Sequence, residues 1–139
     1  MQYSATTKTV KEIVRMPLYT AITQEGAVSN ETKAKIAEEI TRIHCSVMKV
    51  PRNFVRVIFL SYSQGSGFTA GSEAPTATLN CVLRSGHTIE EKTDMLKQLW
   101  AKFQDLTGIA TDQLSLSLQE IPSANAMEMG QIMLPVGQE

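Results

Sequence analysis

The sequence predicts an α/β (α+β) fold in which two tandem β-α-β units form a four-stranded mixed sheet with two helices on one face. The first observation is an internal repeat, because a shift of 59 residues places residues 29–62 on residues 88–121 without a gap. The second is that each copy has apolar residues at helical spacing, followed by an alternating run typical of a strand. The third is the length of 139 residues, which corresponds to one domain.

The first unit spans residues 17–62 and opens with a strand-like run from Leu18 to Thr23. Ser29 is a suitable N-cap for the helix that follows. The helix should end before Pro51, because the residue ahead of a proline is pushed out of the α region. The alternating run from Phe54 to Tyr62 predicts the second strand. The buried stripe of the helix is formed by Ile36, Ile40, Ile43 and Val47.

The second unit spans residues 76–122, and its first strand is predicted over 76–82. Thr88, with Glu91 three residues later, forms a capping box that marks the start of the second helix. Gly108 is a natural residue just past the helix end. Each unit should therefore connect two parallel strands through a helix.

The connection over residues 63–75 is rich in Gly, Ser and Thr. Loops of that length are usually functional or mobile. Its glycine spacing matches neither a Walker loop nor a dinucleotide fingerprint, so a phosphate cradle is disfavoured.

One face of the predicted sheet is left without a cover, because both helices lie on the other face. Association with further copies of the chain would bury it. The tail over residues 123–139 is apolar enough to pack on this domain or on a neighbour. Its apolar residues are Met127, Met129, Ile132, Met133 and Leu134.

The composition excludes several classes of function. The formal net charge is −1, so no overall field favours nucleic acid or an acidic membrane. Cys45 and Cys81 have neither metal-ligand spacing nor the pattern of a disulfide framework. The longest apolar runs are too short to span a membrane. We therefore expect a cytoplasmic protein with no metal or organic cofactor.

Residues 1–15 differ from the rest, and Met16-Pro17 follows them at the head of the first strand. The stretch is basic and rich in Ser and Thr, and it is a native extension, a tag or upstream sequence that is not normally translated. If Met16 is the true start and is removed, Pro17 carries a free secondary amine. Such an amine can act as a base near neutral pH, since α-amino groups titrate at roughly pH 8 and burial lowers that value. The alternative is that Pro17 merely opens a strand.

Four further polar positions carry possible chemistry, and each also has a purely structural interpretation. His44 lies on or beside the helical stripe, where a satisfied core histidine is common. Arg84 ends the third strand and could clamp a carboxylate through its guanidinium fork. His87 lies in the turn before the second helix. Glu128 lies in a Met-rich segment, where a buried carboxylate could handle a proton.

The chain resembles the tautomerase superfamily, and within it the cis-3-chloroacrylic acid dehalogenase group. The resemblance runs from Met16 to about Gly137. It is carried by the doubled β-α-β plan and by four stretches of sequence: Met-Pro-Leu-Tyr-Thr at 16–20, Ala-Glu-Glu-Ile-Thr-Arg-Ile-His at 37–44, Leu-Arg-Ser-Gly-His-Thr at 83–88, and Glu-Ile-Pro at 120–122 with Met-Glu-Met-Gly at 127–130.

The resemblance implies a trimer and a small carboxylate substrate. It implies that Pro17 transfers protons, that Arg84 and His44 bind the substrate carboxylate, and that Glu128 activates water for addition to an unsaturated acid. Two positions depart from the group's pattern. His87 stands where the group has a second arginine, and Ser117 stands where it has a tyrosine.

These departures favour keto–enol tautomerisation of a small α-keto acid over efficient dehalogenation, with slow hydration as a side activity. The competing hypothesis is a non-catalytic member of the family. Residues 1–15 would then stay attached, Pro17 nitrogen would remain an amide, and the pocket would bind a small carboxylate only.

Overall fold

A computed structural model describes residues 16–137, so the predictions for residues 1–15 and for the last two residues lie outside the described part. Three short 3₁₀ turns, at Arg52–Phe54, Thr111–Gln113 and Ser123–Asn125, separate some of the elements. The elements follow one another as β1 (Leu18–Gln24), α1 (Asn30–Met48), β2 (Arg56–Tyr62), β3 (Phe68–Thr69), β4 (Ser72–Glu73), β5 (Ala77–Arg84), α2 (Ile89–Thr107), β6 (Leu114–Ile121), β7 (Met127–Glu128) and β8 (Gln131–Ile132).

The four long strands form one mixed sheet in the order β2-β1-β5-β6. Within each unit the two strands are parallel, as β1 pairs with β2 and β5 with β6. The two units meet through the antiparallel pair β1–β5. The predicted four-stranded mixed sheet is confirmed. This topology brings the beginnings of β1 and β2 and the ends of β5 and β6 to one end of the sheet.

Both helices have the caps that the sequence predicts. The Ser29 hydroxyl accepts a hydrogen bond from the Thr32 amide at the start of α1. Thr88 and Glu91 form the capping box of α2, and Gly108 ends that helix with φ +71°. α1 ends before Pro51 through Lys49, which adopts the left-handed conformation.

The core lies between the helices and one face of the sheet. Tyr19 and Leu79 face it from the strands, and Ile36 and Phe103 face it from the helices. The opposite face keeps large apolar side chains in solvent, namely Ile22, Ile58 and Leu60, which are 36, 48 and 51% exposed. None of the described helices is long and apolar enough to cross a membrane.

Some boundaries differ from the predictions. β2 begins at Arg56 rather than Phe54, because the Val55 amide donates to Arg52 oxygen and closes a turn. β5 covers Ala77–Arg84 and so runs two residues beyond the predicted 76–82. Residues 63–75 contain the small β3–β4 hairpin, whose turn residues Ala70 and Gly71 both have positive φ, as a type I′ turn requires.

Candidate active site

The candidate site is built where four strand termini meet. Pro17 immediately precedes β1 and is buried, and its carbonyl oxygen accepts a hydrogen bond from the Arg56 amide at 3.2 Å. The β1–β5 register pairs Leu18 with Val82, so Pro17 lies beside the end of β5, where Arg84 is located. Arg84 in turn pairs with Ile121 at the end of β6.

Arg84 is almost fully buried, with 5% of its surface exposed. One of its guanidinium nitrogens, Nη1, donates to the Leu134 carbonyl oxygen of the tail. The tail is also held by buried Met133, whose amide donates to Ala126 oxygen. The segment after β6 therefore folds back over the end of β5.

Glu128 reaches the same end of the sheet from the tail. Its side chain is only 10% exposed, and its Oε2 lies 3.0 Å from Nη2 of Arg56. Arg56 therefore links Glu128 to the strand end that carries Pro17, since its amide donates to the Pro17 carbonyl. An adjacent guanidinium stabilises the charged carboxylate, which is the form that a general base requires.

His44 lies on α1 and is buried against β1. Its Nδ1 lies 2.8 Å from the Tyr19 hydroxyl, and the two rings meet edge to face with centroids 5.7 Å apart. Burial, with a smaller contribution from neighbouring His87, lowers the pKa of His44 to about 3. Burial also raises the pKa of Tyr19, so the tyrosine keeps its proton.

The protonated Tyr19 hydroxyl has three possible acceptors: His44 Nδ1, the Met95 sulfur at 3.4 Å and the Cys81 sulfur. The imidazole nitrogen is the strongest acceptor. Donation to Nδ1 assigns the remaining imidazole proton to Nε2. His44 is thus a neutral histidine whose Nε2–H can donate a hydrogen bond.

His87 lies between the arginine and the second helix, with 9% of its side chain exposed. Burial is the main cause that lowers its pKa, and Arg84 contributes in the same direction, while Glu91 and Glu120 oppose them. Its Nδ1 is 3.9 Å from a Glu91 oxygen. His87 is consequently neutral near pH 7 and does not supply the charge of a second arginine.

Ser117 lies away from this cluster within one chain. Its hydroxyl donates to Asn80 Oδ1 at 2.6 Å on the open face of the sheet. Asn80 is paired with Thr20, three residues along β1 from Pro17. That separation is about 10 Å at the usual rise per strand residue.

The structure thus places Pro17, Arg84 and Glu128 at one end of the sheet. His87 lies near Arg84, and His44 lies near His87. The roles of these residues remain predictions. Sequence reasoning did not single out Arg56 or Tyr19. Arg56 has a detectable signal, since it is a basic residue in an otherwise apolar strand. Tyr19 has none, because a tyrosine in a strand is usual.

Comparison with known proteins gives the family. The model of the family described as "Putative oxalocrotonate tautomerase enzyme" matches residues 16–122. The chain belongs to this family. Within the tautomerase superfamily it falls in the group of cis-3-chloroacrylic acid dehalogenase, as predicted. A search of curated proteins finds no significant match.

Solved structures agree with this assignment to the tautomerases. N1, a member of the cis-3-chloroacrylic acid dehalogenase family, is 31% identical, with a TM-score of 0.81 over 87% of this chain and 86% of N1. Pt0534, inactivated by 2-oxo-3-pentynoate, is 24% identical, with a TM-score of 0.77 over 84% of this chain and 94% of Pt0534. The fused 4-OT symmetric trimer Q0 is 20% identical, with a TM-score of 0.78 over 87% and 99% of the two chains. The last two likenesses show the fold alone.

Proposed function

We propose that the protein is a proline-dependent tautomerase that converts the enol form of a small 2-keto acid into its keto form, once Pro17 is the N-terminal residue. The observation that carries this proposal is the meeting of Pro17, Arg84 and Glu128 at one end of the sheet. Membership of the tautomerase family supports it.

The proposed reaction moves one proton and leaves the atom count of the substrate unchanged. The neutral ring nitrogen of Pro17 takes the proton of the enol hydroxyl while the C2 carbonyl forms. The resulting ammonium then gives a proton to C3 of the substrate. A base suited to this task titrates near the operating pH.

The surroundings of Pro17 favour the neutral amine. Pro17 is buried, and the guanidinium groups of Arg56 and Arg84 belong to strand ends on either side of it. Burial and neighbouring positive charge both disfavour an ammonium ion, and the Glu128 carboxylate, which would favour one, is paired with Arg56. We therefore expect the amine to be available as a base at neutral pH.

The substrate carboxylate would bind to Arg84, with His44 Nε2–H as a neutral donor. A charged hydrogen bond contributes about 1.5–3 kcal/mol, so having neutral His87 in place of a second arginine weakens carboxylate binding about tenfold to a hundredfold. Hydration of an unsaturated acid, with Glu128 activating the water, would accordingly be a slow side activity.

We further propose that the chain assembles as a homotrimer through the open face of its sheet. The exposed Ile22, Ile58 and Leu60 on that face support association. The trimeric state of the fused 4-OT neighbour is consistent with it. In such an assembly Ser117 would reach a site through a neighbouring subunit, since it lies on the open face.

The test uses a protein that begins at Pro17 and the enol form of a small 2-keto acid, whose ultraviolet absorbance falls on ketonisation. We expect Pro17→Ala to lower kcat/KM by about 100-fold, the lower range for losing an acid–base group.

Arg84→Ala should raise KM, and Arg84→Lys should restore part of the binding. Arg52→Ala removes an arginine that pairs with Glu38 on the surface, and it should match the wild type. Equal rates in the wild type and Pro17→Ala would refute the proposal.

The non-catalytic alternative is separated by the intact mass of the protein isolated from its native source. A species that begins at Pro17 argues against permanent blocking of the amine. A species that begins at Met1 and lacks turnover would support binding of a small carboxylate only.

A further inference from the structure

The ion pair between Arg56 and Glu128 joins residues 72 positions apart in the chain. Glu128 is 10% exposed, the lowest value for an acid in the described ion pairs, while Arg56 is 58% exposed. A half-solvated guanidinium therefore holds an almost buried carboxylate. The proposed tautomerisation does not explain this arrangement.

Arg56 makes its second contact through the backbone. Its amide donates to the Pro17 carbonyl, and its position at the start of β2 is fixed by pairing with Leu18. The guanidinium that contacts Glu128 thus belongs to a residue hydrogen-bonded directly to the proposed catalytic proline. No other described ion pair has this property.

The pair is poorly suited to a purely stabilising role. Ion pairs with an exposed partner contribute little to folding, because solvent screens them and the side chains lose freedom. Arg52–Glu38 offers a direct comparison, since both partners lie on the surface, 61 and 58% exposed, at 2.8 Å. The burial of Glu128 is the difference that needs an explanation.

We propose that Arg56 is a positioning residue that holds the Glu128 carboxylate in place and in its ionised form beside Pro17. This inference rests on the proposed function, in which Glu128 accepts a proton from water in the hydration side reaction. A bound substrate carboxylate would repel Glu128 and favour its protonation. The positive charge of Arg56 offsets that repulsion and keeps Glu128 a base.

The charged and titratable groups at this end of the sheet come from several elements. β2 supplies Arg56, and β5 supplies Arg84, which is tied to the same tail through Leu134. On the helix side lie His87, Lys92 and Glu120, of which the last two form their own ion pair at 2.8 Å. Arg56 donates a hydrogen bond to the Glu128 carboxylate, so we expect its removal to change the titration of Glu128.

The experiment titrates full-length protein carrying ¹³C in its glutamate carboxyl carbons, from about pH 3 to pH 8 by NMR. Glu128→Gln identifies the Glu128 resonance. We expect Arg56→Gln to raise the midpoint of the Glu128 titration by about one pH unit. In Arg56→Lys the midpoint should lie close to the wild-type value, because the positive charge is kept. Arg52→Gln removes the same charge from the surface and should leave the midpoint unchanged. Thermal melts of all variants confirm that they are folded.

A midpoint in Arg56→Gln within about 0.2 pH units of the wild type overturns the inference. So does a tenfold rise in KM of the protein that begins at Pro17, without a shift in the Glu128 midpoint, because Arg56 would then bind substrate instead. The titration does not depend on turnover. Absence of tautomerase activity would therefore refute the proposed function and leave the titration to decide this inference.

Discussion

A single histidine illustrates how burial decides chemistry at the residue scale. The sequence places His44 on or beside an apolar helical stripe, which leaves core and functional roles open. The structure buries it against Tyr19, which fixes its tautomer and keeps it neutral. A neutral donor can bind a carboxylate, whereas a histidine with this pKa cannot act as a cationic clamp near pH 7.

This burial predicts a specific pH dependence of stability. The pKa of His44 is about 3 in the folded protein and 6.5 when the histidine is exposed, so the unfolded state binds the proton more readily. The contribution of neutral His44 to the free energy of unfolding is therefore complete above pH 6.5, and it is lost as the pH decreases toward 3. Between pH 7.5 and pH 5 we expect a loss of about 2 kcal/mol in the free energy of unfolding.

Urea unfolding at both pH values measures this loss. In His44→Gln the free energy of unfolding should depend much less on pH, since the glutamine side chain does not titrate. His87→Gln is the matched comparison, because the pKa of His87 is also lowered but the side chain is less buried. If His44→Gln loses as much stability between pH 7.5 and pH 5 as the wild type, another group causes the loss.

At the scale of elements, the helices were predictable and several strand ends were not. The capping box at Thr88 and the glycine at 108 fix the limits of α2 through local hydrogen bonds. The start of β2 depends on a 3₁₀ turn that an alternating pattern cannot reveal. The β7–β8 hairpin depends on Met129 and Gly130, which both have positive φ, and methionine gives no signal for that conformation.

The tail is seated by a contact that sequence patterns cannot predict. A Cβ built on Gly86, whose φ is +118°, would lie 2.9 Å from the Cβ of Val136. Together with the bond from Arg84 to Leu134, this close approach keeps the tail against β5. A larger residue at position 86 would therefore have to displace the tail at Val136.

The open face of the sheet carries a prediction about assembly. We expect the wild type to have about three times the chain mass of 15.3 kDa by light scattering. Ile58→Lys combined with Leu60→Lys should give monomers, because two charges would be buried at the interface. Ile89→Lys is the control, since Ile89 is 73% exposed at the start of α2. A monomeric wild type, or a double variant that stays trimeric, would contradict this assembly.

For the whole molecule, the repeat was the most informative feature of the sequence. The gapless match of residues 29–62 to residues 88–121 predicted two parallel strands in each unit, and the pairs β1–β2 and β5–β6 confirm this. The structure shows that the two units are joined by the antiparallel pair β1–β5. The pairing of Arg56 with Glu128 was not predicted, because nothing local connects residues so far apart in the chain.

The dependence of kcat/KM on pH, for protein that begins at Pro17 and an enol of a small 2-keto acid, tests the central claim most directly. We predict an acid limb with an apparent pKa below the value of about 8 that is usual for an α-amino group, and its loss in Pro17→Ala. The full-length chain should show no such limb, because its Pro17 nitrogen is an amide. A profile that is the same in Pro17→Ala and in the wild type would contradict the account.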